Sequence, residues 1–161
     1  MKQVVPVVLV GGLLCGCIDR TPGLEATLES ASVTIEGADA TQVVTVDIDL
    51  RVHVGKYALA GRNFIVPEAN LLAQEMLAAE VSLDRPVGFD GMLMPGQTES
   101  YQTTGMTLVG GFPQARGLVC PAGPVQVVLI WTAMIATEDI DMPFRMEMGT
   151  ADLITTDVTC L

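Results

Sequence analysis

The chain has 161 residues, 50% of them apolar, and carries 19 acidic against 8 basic side chains for a formal net charge of −11. Half-apolar composition excludes a disordered chain, and the length suits one domain with its own core. Acidity this strong repels nucleic acid and anionic lipid headgroups, so neither is expected as a partner.

The first seventeen residues read MKQVVPVVLVGGLLCGC. Lys2 stands beside the start, and an apolar run of about eleven residues, Val4 to Leu14, follows it. That run is short of the roughly twenty needed to cross a hydrocarbon core. A positive start, a short apolar stretch and small residues before a processing point make the pattern of a secretory signal. A spanning helix and an ordinary signal with a soluble product are the alternatives; Pro6, Gly11 and Gly12 speak against the first.

The run ends in Leu14-Cys15-Gly16-Cys17, which resembles the lipobox of bacterial lipoproteins. In that family a large apolar residue stands three places before the cysteine and a small one immediately before it. Leu14 and Gly16 match; Cys15 stands where Ala, Ser or Thr is commoner. The resemblance implies a signal peptide over 1–16, lipidation of Cys17 with acyl chains such as palmitate, and a lipid bilayer as first partner. Several chains make such an anchor stable, since each buried methylene contributes roughly 0.8 kcal/mol. Ile18 follows the cysteine in place of the aspartate that retains enteric lipoproteins in the inner membrane, so outer-membrane residence is expected. Residues 17–23 form a short tether, and 24–161 the domain. Removal of Lys2 with the signal takes the charge from −11 to −12.

From Leu24 onward the apolar pattern is mostly of period two. Residues 24–35 alternate loosely through Leu24, Ala26, Leu28, Val33 and Ile35. Residues 43–54 alternate strictly: Val44, Val46, Ile48, Leu50, Val52 and Val54 face one way; Thr45, Asp47, Asp49, Arg51 and His53 the other. This predicts a strand with one buried and one wet face. Residues 67–80, PEANLLAQEMLAAE, break the pattern. Good helix formers with Leu71, Leu72, Glu75, Met76 and Ala79 at helical spacing, after Pro67, predict a helix of about three turns.

Residues 125–135 are apolar on nearly both faces, as an interior strand should be, with Trp131 as a core residue. Residues 144–160 alternate in pieces. Turn chemistry separates the runs at 36–39, Pro95-Gly96, Gly110-Gly111 and 121–124. Together these predict a mainly β fold, a two-sheet antiparallel sandwich with one short helix. Residues 94–100, MPGQTES, resemble the hairpin start of immunoglobulin-like and fibronectin-like domains, and a barrel of similar strand count is the alternative.

With Cys15 removed and Cys17 lipidated, Cys120 and Cys160 remain as an even pair for an oxidising compartment. Their midpoint, residue 140, lies in the polar stretch Thr137-Glu138-Asp139-Ile140-Asp141. A hairpin turning there brings the two cysteines together on neighbouring strands, and a structural disulfide is expected. A redox role is not, because no Cys-x-x-Cys context is present.

Chemistry is sparse. One histidine, His53, lies on a polar strand face, and no Gly-x-Ser-x-Gly turn is present, so no catalytic residue is assigned and the chain is read as a non-enzyme. No histidine–thiolate set for zinc exists, and the acidic residues 138–141 lack calcium-loop spacing, so no metal or cofactor is assigned. Asp47 and Asp49 share one open face, which offers no enclosed site for paired-carboxylate chemistry. Aromatic residues are few: Tyr57, Tyr101, Phe64, Phe89 and Phe112 are scattered. Nine methionines include two local clusters, Met92 with Met94, and Met142, Met146 and Met148 around Phe144. Methionine suits adaptable binding surfaces, but core filling is the leading expectation for these clusters. The leading expectation is an envelope lipoprotein acting as a non-catalytic protein-interaction or structural module, with another envelope protein as partner. The alternative is a ligand-binding module for calcium, glycan or a small apolar molecule.

Overall fold

The computed structural model describes residues 23–86 and 90–161. The expected signal, the expected lipidation site Cys17 and the expected tether up to residue 22 lie outside them. Strands β1 (Leu24–Glu36) and β2 (Val43–Val54) pair antiparallel, joined by a turn in which Gly37 takes φ +75° and Asp39–Thr41 form a single 3-10 turn. β2 has the bounds its alternation predicts. Its apolar residues from Val44 to Val54 are all buried, because a pleated strand sends successive side chains to opposite faces.

The predicted helix over 67–80 is instead a β-hairpin. β3 (Gly61–Ala73) turns at Gln74-Glu75 into β4 (Met76–Leu83). The pattern that resembled a helix conceals a period-two set: Ala69, Leu71 and Ala73 are fully buried on β3, and Ala79 and Val81 on β4. Small residues at these places let the hairpin lie flat on the core, and that packing overrides helix propensity. The turn carries strain, for Gln74 and Glu75 both adopt positive φ, +52° and +65°. A non-glycine residue there costs roughly 1–2 kcal/mol. Glu75→Gly is therefore expected to raise stability by about 0.5–1 kcal/mol after the entropic cost of glycine, measured as a higher urea midpoint.

β5 (Thr98–Met106) follows the Met94–Gln97 turn, where Pro95 and Gly96 (φ +75°) occupy the two central positions. The helix of the fold lies elsewhere: α1 (Ala115–Ala122) contains Gly117 and Pro121, which gave it no helical signature. It is held from outside. Ala115 and Val119 are fully buried, and the buried side chain of Gln42 donates to the Phe112 carbonyl and accepts from the Arg116 N–H at 3.2 Å. β6 (Val125–Ala136) and β7 (Phe144–Thr155) form a long hairpin around the 137–143 turn, and β8 (Val158–Cys160) follows.

All eight strands belong to one sheet, in the order β7-β6-β3-β4-β5-β2-β1-β8. The mainly β class holds, but the strands make one continuous sheet where two were expected. The two halves are joined at β4–β5 by the pairs Ser82↔Met106 and Leu83↔Gly105, with the Asp84 N–H donating to the Thr104 carbonyl beside them. The inner faces of the halves meet: Phe64 of β3 stands edge-on to Tyr101 of β5, ring centroids 5.6 Å apart, and 5.9 Å from Trp131 of β6. Antiparallel pairing is also not universal, because β8 runs parallel to β1 (Val33↔Val158, Ile35↔Cys160). β7 leads into this pairing, with the Thr155 hydroxyl donating to the Ala31 carbonyl at 2.6 Å.

Candidate functional site

The two halves of the sheet present outer faces that differ in chemistry. On β1, β2 and β5 the outer face is polar. Ser30 and Gln102 flank Asp49 in register and donate to its two carboxylate oxygens at 2.6 and 2.7 Å. Glu29, displaced by a bulge between Leu28 and Ser30, pairs with Arg51 at 3.3 Å across open solvent. His53 Nδ1 lies 2.8 Å from the Thr98 hydroxyl. Asp47, Asp49 and Asp157 border an open groove of about 490 Å³ with Ser30, Ser32 and Thr104.

Asp47 and Asp49 share one exposed face, as the alternation requires. Both oxygens of Asp49 are engaged by neutral donors. That suits a carboxylate fixing the sheet surface better than one exchanging a proton with a substrate. The 138–141 turn is likewise engaged with itself: Asp139 accepts from the Asp141 N–H at 2.9 Å, and its own N–H donates to Thr137 Oγ1 at 3.2 Å. Among the described residues no group of three or more His, Cys, Asp or Glu is placed to hold a metal ion.

On β3, β6 and β7 the outer face is apolar at one end, around the methionines, and mixed at the other, where Glu68, Asn70 and Thr150 lie and Gln126 donates to Asp152 at 3.0 Å. Register places Met134 opposite Met146, Thr132 opposite Met148, Ala136 opposite Phe144 and Gln126 opposite Ile154. β3 adds Ile65, opposite Thr132 on the other flank of β6. Met146, Met148 and Ile154 are each about two-thirds exposed, at 66%, 69% and 66%. The Met142–Met148 cluster seen in the sequence is therefore surface, not core. Sequence reasoning missed Met134 and Ile65 as its neighbours. The signal lay in the 125–135 pattern, whose second apolar set faces outward.

The inner face is closed by aromatic packing. Trp131 is buried as expected, and its indole covers Gly149, where a Cβ would lie 2.3 Å from Trp131 Cζ2. Its Nε1 is buried with no hydrogen-bond partner among the described residues. Of the other aromatic side chains, Phe64 and Tyr101 are core, Phe112 packs partly against it, and Tyr57 is 81% exposed. Phe89 lies outside the described residues.

Among the described residues, Tyr101 is the titrating group with a displaced pKa. Burial pushes its phenol above the ordinary 10.0, while a hydrogen bond to the Val66 backbone and the Arg85 charge pull the other way. A folded pKa above the unfolded one means that the fold favours the neutral phenol. That contribution is complete below the unfolded value, near pH 10, and is lost as pH rises through the folded value. Stability is expected to fall in alkali above about pH 10, and Tyr101→Phe to flatten that slope while costing roughly 1 kcal/mol at neutral pH. Urea midpoints measured for both proteins across the alkaline range check this.

Cys120 and Cys160 form a disulfide with Cα atoms 6.3 Å apart. Its setting differs from the expected one. Cys120 sits in α1, whose C-terminal end leads into β6, and Cys160 sits in β8, which pairs with β1; the bridge therefore ties helix to strand. The β6–β7 hairpin does turn at 137–143 and brings the two segments back to one end.

No protein-family model matches the chain, and no curated protein sequence does. Among solved structures the chain is similar to a candidate lipoprotein (ycdA) of Bacillus subtilis, at TM-score 0.42 and 10% identity, over 83% of this chain and 37% of that one. It is similar also to a protein of Archaeoglobus fulgidus, at TM-score 0.37 and 9% identity, over 81% and 97% of the two chains. A third likeness is to AggA, the major subunit of the type I aggregative adherence fimbriae of Escherichia coli, at TM-score 0.36 and 11% identity, over 88% and 97%. The chain thus spans 37% of the Bacillus subtilis structure's length. These likenesses are distant, and none bears on function.

Proposed function

We propose that the chain is a non-catalytic interaction module, tethered to the outer membrane of a bacterial envelope through acylated Cys17, that docks onto another envelope protein by the outer face of β3, β6 and β7. The observation that carries this reading is the exposure of Met146 and Met148 beside Ile65, with Met134 between them, on one sheet face. Contiguous apolar surface on a soluble domain marks a contact site more often than a bare surface. The tether limits where the partner can be. Seven residues, 17–23, reach at most roughly 25 Å when fully extended, so the domain stays close to the bilayer.

Crosslinking in native membranes followed by affinity purification tests this reading, with Cys17→Ala and Ile65→Glu as variants. The expected result is one stoichiometric envelope protein, recovered with the native chain and lost with Ile65→Glu, and a Cys17→Ala protein that leaves the membrane fraction. Undiminished membrane binding of Cys17→Ala overturns the anchor. Equal recovery with Ile65→Glu overturns the docking face.

A further inference from the structure

We propose that Met134, Met146 and Met148 form a thioether site for a soft monovalent cation, Cu(I) or its redox-inert analogue Ag(I). The inference stands apart from the docking reading, since it concerns three sulfur atoms and their geometry.

The placement follows from the β6–β7 register. Met134 is directly opposite Met146, and Met148 lies two residues further along β7 on the same face. Directly opposed residues hold their Cβ atoms roughly 4.5–5.5 Å apart, and neighbours two apart on one strand are separated by about 6.6 Å. Methionine has three side-chain torsions and an unbranched stem. Three sulfurs rooted at these spacings can converge on one point above the sheet without backbone movement. Met146 and Met148 are 66% and 69% exposed, so an ion reaches them from solvent directly.

The donor set selects the ion. Thioethers are soft and uncharged, and they favour Cu(I) over Zn(II), Ca(II) and Mg(II), which take imidazole, thiolate or oxygen. A face needing only cover would be served by Thr or β-branched residues, which fit a strand better. β6–β7 instead places methionine at three adjoining outward positions. Arg62 stands opposite Met134 on β3, but the chain as a whole carries a net charge of −11, which draws cations toward its surface. Binding changes no oxidation state, so copper must arrive as Cu(I).

The test is Ag(I) titration of the full chain carrying Cys15→Ser and Cys17→Ser, which removes competing thiols and leaves the disulfide. Methionine methyl groups, labelled with carbon-13, report by NMR. At one equivalent the methyls of Met134, Met146 and Met148 should shift together. Those of Met76, Met94 and Met106, also exposed, serve as internal references and should not. Met146→Leu is expected to weaken binding by roughly tenfold or more, and replacing all three by leucine to abolish saturable binding. Leucine is close in volume, and an unchanged melting temperature confirms the fold. Saturable binding that survives the triple replacement, or uniform shifts of all the exposed methyls, overturns the site.

Discussion

Replacing Cys120 and Cys160 together by alanine is expected to lower the unfolding free energy by about 4 kcal/mol, the chain-entropy value for a loop of this size. The two cysteines are 40 positions apart, and the loop they close contains β6, the 137–143 turn, β7 and most of β8. In the unfolded chain the bridge forbids separation of those ends, so its loss gains the unfolded state entropy that the native state never had. The native state also loses a covalent tie between α1 and β8, leaving the Arg116 guanidinium on the Leu161 carbonyl and the Gln42 side chain to hold the helix. α1 is short, contains Pro121, and has no side-chain N-cap. Helices of this length are marginal without tertiary support. Urea unfolding of the alanine pair beside the oxidised chain gives the value. A loss below about 1 kcal/mol would mean that the packing of Ala115 and Val119 and the Gln42 and Arg116 hydrogen bonds seat the helix without the bridge.

The second large effect is expected at Gly105. A Cβ there would lie 2.2 Å from the Ser82 carbonyl oxygen and 2.9 Å from the Leu83 Cα. Both are backbone atoms, so no side chain can swing away, and strand β4 itself must retreat. The contact falls on the β4–β5 junction, where Ser82↔Met106 and Leu83↔Gly105 pair and the Asp84 N–H donates to the Thr104 carbonyl at 2.8 Å just beyond. Gly105→Ala is expected to cost about 3 kcal/mol, the upper part of the overpacking range. Gly117 supplies the control. It lies in α1 with nothing within 4 Å of its built Cβ, and Gly117→Ala should stabilise the chain by about 0.5–1 kcal/mol. Opposite signs for one chemical change, read from two melting curves, would establish that the junction depends on the missing side chain.

How far the sequence foretold this fold depended on whether an element declared itself locally. β2 did, because each of its residues obeys one alternation, and its bounds were readable to the residue. β6 was equally plain, with Trp131 inside as expected. The β3–β4 hairpin was not. Its two central turn residues are Gln74 and Glu75, which lack the Asn-Gly signature of such turns, and its alanines and leucines favour helix in isolation. Helix α1 failed in the opposite sense: its stability comes from Gln42, more than seventy positions earlier, and from the disulfide. The union of both halves into one sheet rests on Gly105, and a glycine within a strand says nothing about which backbone approaches it. For the candidate site, the methionine cluster on β7 was visible in the sequence. Its third member, Met134, became so only when the register of β6 against β7 was known.

β8 has only three residues and would ordinarily open and close faster than exchange experiments can follow. Here the Leu161 N–H donates to the Ile35 carbonyl at 2.9 Å, and Cys160 beside it is bound covalently to α1. Opening the strand therefore requires the helix to move with it. Solvent should reach the Leu161 amide only through that larger motion, giving it the exchange lifetime of an interior strand. Reduction would make that amide exchange fast, so a single deuterium label at Leu161 reports the redox state of the neighbouring bridge.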